Sequence, residues 1–131
     1  MLEVDVSGFV NAISTILPDV DKTAMIGNAN LGQYLIDLVK EGLKNSTDGW
    51  VDDDLAFVRP WGFELDEIKV PVILYQGSED KMVPFAHGQW LAKHLPQEYS
   101  KIHLVEGEGH ISIFIDYLEA MIDELLALGR Q

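Results

Sequence analysis

The chain has 131 residues, 47% of them hydrophobic, which is enough for one packed domain and too apolar for wholesale disorder. Nine Lys and Arg stand against 22 Asp and Glu, a net charge of −13 with no basic cluster, so neither a nucleic-acid backbone nor an anionic membrane surface is a suitable partner. No cysteine is present, which removes disulfides and thiolate metal sites, and the acidic opening MLEVDVSGF lacks the basic region of a signal peptide, so a cytoplasmic protein is expected.

Residues 1–60 read as helices and loops of a cap or lid. Ser7 can cap a helix carrying Phe9, Val10, Ile13, Ile16 and Leu17 at helical spacing, with Pro18 ending it. A second amphipathic segment places Leu31, Leu35, Leu38 and Val39 on one stripe, and Gly42 and NSTDG break it. A short helix over 52–58 stops before Pro60, and its acids, Asp52, Asp53 and Asp54, suit a helix N-terminus better than a calcium loop. No strand pattern appears in this half.

Residues 61–131 read differently. KVPVILYQG (69–77) is a continuous apolar, β-branched run, the mark of a strand buried on both faces in a parallel sheet. PFAHGQWLAKHLP (84–96) is a helix framed by two prolines, with Phe85, Trp90, Leu91 and Leu95 as core candidates. KIHLVEG (101–107) is a second strand. Ser112 can cap a last helix whose stripe is Ile115, Leu118, Ile122 and Leu125, ended by Gly129. The expected fold class is therefore α/β, with a helical N-terminal region followed by a βαβα unit with parallel strands. Two parallel strands make a poor sheet, because both edges and both faces need partners. A homodimer, or other self-association through the exposed strand edge, would supply them.

Ligands of open parallel sheets bind beyond the C-terminal ends of the strands. Two loops lie there, QGSEDKMVP (76–84) and EGEGHISI (106–113), and each carries one prominent titratable residue, Asp80 and His110. In adjacent loops the carboxylate can hold one ring nitrogen of His110 and leave the other to face a nucleophile. The competing reading makes Asp80 a turn residue and His110 a helix cap in a small binding protein. In that case the two would lie far apart. Glu106 and Glu108 flank His110 and read as solvated loop acids. His87 and His94 are seven residues apart on one helix, about 10 Å, too far to share an ion, and no metal or cofactor motif is present. Trp50, Trp61 and Trp90 read as core or interface residues, and Met82 as apolar filling at the rim of a pocket.

VPVILYQGSEDKMVP, followed after a helix by IHLVEGEGHISI, resembles the C-terminal part of an α/β-hydrolase. The resemblance covers residues 68–131. It places Asp80 at the triad acid and His110 at the triad base, and it makes residues 1–60 a cap region. The family's nucleophile sits on a G-x-S-x-G elbow between a strand and a helix. None of Ser7, Ser14, Ser46, Ser78, Ser100 and Ser112 has glycine at both −2 and +2. The resemblance thus implies two-thirds of a triad, with a small-molecule ester, amide or related substrate only in the complete enzyme and no turnover from this chain alone. The alternative is a non-catalytic, self-associating remnant.

Overall fold

The computed structural model describes residues 5–129, so residues 1–4 and 130–131 lie outside it. The chain forms a mixed α/β structure of six helices and one two-stranded parallel sheet among those residues. Four helices come first: α1 (Val6–Ala12), α2 (Asp19–Gly27), α3 (Ala29–Gly42) and α4 (Asp48–Phe57). Then follow β1 (Val72–Gly77), α5 (Phe85–His94), β2 (Ser100–Val105) and α6 (Ser112–Leu128). No described helix is long and apolar enough to cross a membrane.

The helical half departs from the sequence reading at its punctuation. Asp5, not Ser7, caps α1, its carboxylate accepting from the Gly8 N–H at 2.7 Å. Pro18 does not end that helix, which stops at Ala12. It stands as the N-cap of α2, a helix the periodicity did not reveal. Proline has no N–H to lose at a helix start, so it serves there as readily as at a stop. α3 spans the expected second amphipathic segment, capped by Asn28 through the Leu31 N–H, but Ile36 is its buried hydrophobic residue and Leu38 of the expected stripe is exposed. α4 begins at Asp48, four residues before the expected start. Val10, Leu17 and Met25 form a buried cluster with Phe9, Ile13 and Leu35 around it. Met82 and Ile111, from the two loops beyond the strands, pack into the same cluster. Met82 is thus a core contact of the helical half and not a pocket rim.

The two strands pair in register from Val72 opposite Ser100 to Gly77 opposite Val105. The helices α5 and α6 cover opposite faces. Gln76 packs on Gly88 of α5, while Tyr75, one residue earlier and therefore on the other face, lies 6.0 Å from Tyr117 of α6. Val72 donates to the Tyr99 carbonyl and Ser78 to the Val105 carbonyl, both at 2.8 Å. Alternation then turns the backbone of Val72, Leu74 and Gln76 toward β2 and that of Ile73 and Tyr75 away from it. No described strand meets that outer edge.

Two apolar expectations fail in the same way. Leu118, Ile122 and Leu125 of the α6 stripe are 37%, 46% and 61% exposed, and Trp90 of α5 is 48% exposed. Trp50 and Trp61 are also more than half exposed. Trp90 stacks on His94 and meets Trp61 edge-on. The 3.6-residue period correctly marks α6 as a helix, but it does not say that a neighbour covers the stripe.

Polar contacts join α6 to the sheet. Glu124 binds Lys101 and His103 of β2, and the His103 ring stacks on Tyr75 at 4.2 Å. The Lys101 hydrogen bond, above all, holds the Glu124 carboxyl below its ordinary value. A depressed acid stabilises the fold fully above the unfolded pKa and loses that contribution as pH falls. The stability gap between the wild type and Glu124→Gln should therefore close as pH drops below about 4.5, the ordinary value for this carboxyl. Urea titrations at several pH values measure it, and a pH-independent gap would contradict the ion pair.

Candidate active site

β1 ends at Gly77, and the following turn carries Asp80. The Asp80 side chain is 5% exposed, and its Oδ1 accepts the backbone N–H groups of Met82 at 2.9 Å and Val83 at 2.8 Å. These bonds make the turn and aim the second oxygen outward. Gln76 braces the same turn, donating to the Val83 carbonyl at 2.8 Å. β2 ends at Val105, and the loop after it carries His110. Its Nδ1 lies 2.9 Å from Asp80 Oδ2. A carboxylate can only accept, so Nδ1 carries the proton and the neutral ring keeps its lone pair at Nε2. The two residues read from separate loops therefore meet, and the geometry that would have separated them in an unrelated binding protein is not found.

The loops are locked to each other by backbone contacts. Ser78 Oγ accepts the Gly107 N–H at 2.9 Å, and the Glu79 N–H donates to the Glu108 carbonyl at 2.8 Å. Gly107 takes a φ of +80°, a conformation that glycine adopts at no steric cost. Glu108 is not a free loop acid. It accepts the Ser112 hydroxyl, which itself accepts the Gly109 N–H at 2.8 Å. Ser112 is thus the first residue of α6 and not its cap. Both serines near His110 are engaged in these ties, and no described side chain hydrogen-bonds Nε2. Among the described residues, the Asp80–His110 pair has no hydroxyl side chain bonded at Nε2.

The residue that sequence reasoning missed is Asp21. It belongs to α2 and is completely buried. Its Oδ2 accepts the His110 N–H at 3.0 Å, and its Oδ1 accepts those of Ile111 at 3.0 Å and Ser112 at 2.9 Å. The first turn of a helix leaves N–H groups without intrahelical partners, and negative charge is favoured there. Asp21 supplies that partner from 89 to 91 residues away in sequence. Gly109 is close enough that a Cβ would overlap the Asp21 carboxylate. In the sequence, PDVDK shows only two acids in the first turn of their own helix, a commonplace position.

No family model, no curated protein and no solved structure matches this chain.

Beside Asp80 and His110 lies an open cavity of about 530 Å³. It runs along the outer edge of β1 from Ile73 to Gln76, with Leu91 of α5 on one side and Phe114 and Met121 of α6 on the other. Asp80 and His110 close one end. Among the described residues no three His, Asp or Glu side chains converge on a point where they could hold a metal ion.

Proposed function

We propose that this chain carries the acid and base of an α/β-hydrolase triad, and that the nucleophile belongs to an element seated along the open edge of β1. The Asp80–His110 contact at 2.9 Å, beyond the C-terminal ends of two adjacent parallel strands, carries the reading. Asp80 orients the ring and stabilises the imidazolium. His110 Nε2 takes the proton of a nucleophile as it attacks an ester, amide or similar carbonyl, returns it to the leaving group, and then activates water for the second step. The apolar groove leading to His110 and the unpaired backbone of Ile73 and Tyr75 suit an additional strand that ends where a nucleophile would be needed.

Two measurements test this. In ring ¹⁵N spectra His110 should be the Nδ1–H tautomer, with a bonded Nδ1–H resonance lost in Asp80→Asn. A ring protonated at Nε2 in its neutral form could accept no proton there and would rule out the base. Hydrolysis of p-nitrophenyl esters by the chain alone should be no faster than that by His110→Ala. Turnover that depends on His110 would reveal a nucleophile within the chain.

The same open edge favours a second reading, a non-catalytic remnant in which another copy of the chain continues the sheet across a two-fold axis. Sedimentation or size-exclusion chromatography separates the two, since a monomer with a free groove contradicts obligate self-association.

A further inference from the structure

We propose that Asp21 is the positioning residue of the base, and that docking of the N-terminal helices is thereby a condition for forming the acid–base pair. The inference rests on the reading of Asp80 and His110 as that pair.

The argument begins with how His110 is held. Its side chain is 44% exposed, so packing alone does not fix the ring. Its backbone is fixed instead. The loop before it is tied to the Asp80 turn through Gly107 and Glu108, and α6 starts two residues after it at Ser112. At the junction of that loop with α6, both oxygens of Asp21 hold three consecutive N–H groups, beginning with that of His110 itself. A carboxylate gripping successive amides sets both the position of the His110 Cα and the direction of its Cα–Cβ bond. The ring contact with Asp80 follows from that direction. A displacement of about 1 Å is enough to disable a catalytic contact.

Asp21 reaches this point only because α2 is packed in place. Its neighbour Met25 is fully buried in the helical cluster, and Ile111, whose N–H it holds, packs into the same cluster. The helical half therefore does more than cover the strand ends. It contributes the acceptor without which the base loop has three unsatisfied donors. Movement of α2 away from the sheet would release His110 from Asp80, which couples the closed state of the cap to competence of the base.

The test separates positioning from simple stabilisation. Asp21→Asn keeps the volume but turns an amide donor toward backbone N–H groups, and it can accept with one oxygen only. Met25→Ala damages the same helix in its core while leaving the carboxylate. Both variants are compared with the wild type under conditions where each is folded. The expected result is that Asp21→Asn loses the bonded Nδ1–H resonance of His110 and exchanges the amides of 110–112 about tenfold faster or more, while Met25→Ala retains the resonance. Retention of the resonance in Asp21→Asn, or its loss there without faster exchange of the amides of 110–112, overturns the positioning role and leaves the Asp80–His110 reading intact. A wild-type spectrum with no Asp80-dependent resonance overturns that reading and the positioning role with it.

Discussion

Gly77→Ala should cost about 3 kcal/mol of stability, at the upper end of what overpacking a well-filled site costs, although it adds a single methyl group. The residue ends β1, and a Cβ there would overlap the backbone carbonyl of Glu108, with the Gly109 carbonyl oxygen only 2.7 Å away. Backbone on the far side cannot rotate out of the way as a flexible side chain would. The loop over 106–109 would have to lift from the turn over 78–80, breaking the bond from the Glu79 N–H to the Glu108 carbonyl and straining that from the Gly107 N–H to Ser78. His110 would move with it. Gly107→Ala is the informative comparison. Its φ of +80° penalises a side chain by about 1–2 kcal/mol, but no atom lies within 4 Å of the added Cβ. Chemical denaturation of the two variants should therefore rank Gly77→Ala well below Gly107→Ala. The reverse order would mean that the two loops are not in the contact described.

This contact explains why the pair was legible in the sequence while its support was not. Asp80 and His110 each stand in a short loop after a recognisable strand, and parallel pairing of those strands brings the loops together. The apolar, β-branched character of 69–77 and the strand reading of 101–107 are sufficient for that step. What holds the loops is different in kind. Gly77 looks like the ordinary end of a strand, and only the Glu108 backbone shows why a larger residue is excluded. Asp21 looks like an ordinary first-turn acid, and its three donors lie at the other end of the chain. The α2 helix is not marked in the sequence because DVDKTAMIG is a short segment and follows a proline that reads equally well as a stop. The α6 stripe shows the opposite limit. Its periodicity is clear, but exposure of Leu118, Ile122 and Leu125 depends on which other surfaces are present, and local sequence does not encode that.

Asp21→Ala should be the most damaging polar substitution in the helical half, whereas Asp19→Ala should leave stability essentially unchanged. The two aspartates lie in the first turn of the same helix and differ in what they face. The Asp19 side chain is 98% exposed and binds Lys22 at 2.9 Å, three residues away. Exposed pairs of this kind contribute little, because solvent screens the charges and ordering two side chains costs entropy. Lys22 does draw the Asp19 carboxyl below its ordinary value, chiefly by hydrogen bonding, but that shift belongs to a group in open water. Asp21 is completely buried and is the acceptor for three backbone donors of another element. A buried donor left without its partner costs about 1–3 kcal/mol. Water entering the space vacated by the carboxyl would satisfy part of the loss, so the net expectation for Asp21→Ala is about 3 kcal/mol. Urea unfolding of both variants measures the contrast. Equal, small losses would show that the α6 N-terminus does not depend on α2. A large loss confined to Asp21 would show that the first turn of α6, and the backbone of His110 before it, is completed by a helix at the opposite end of the chain.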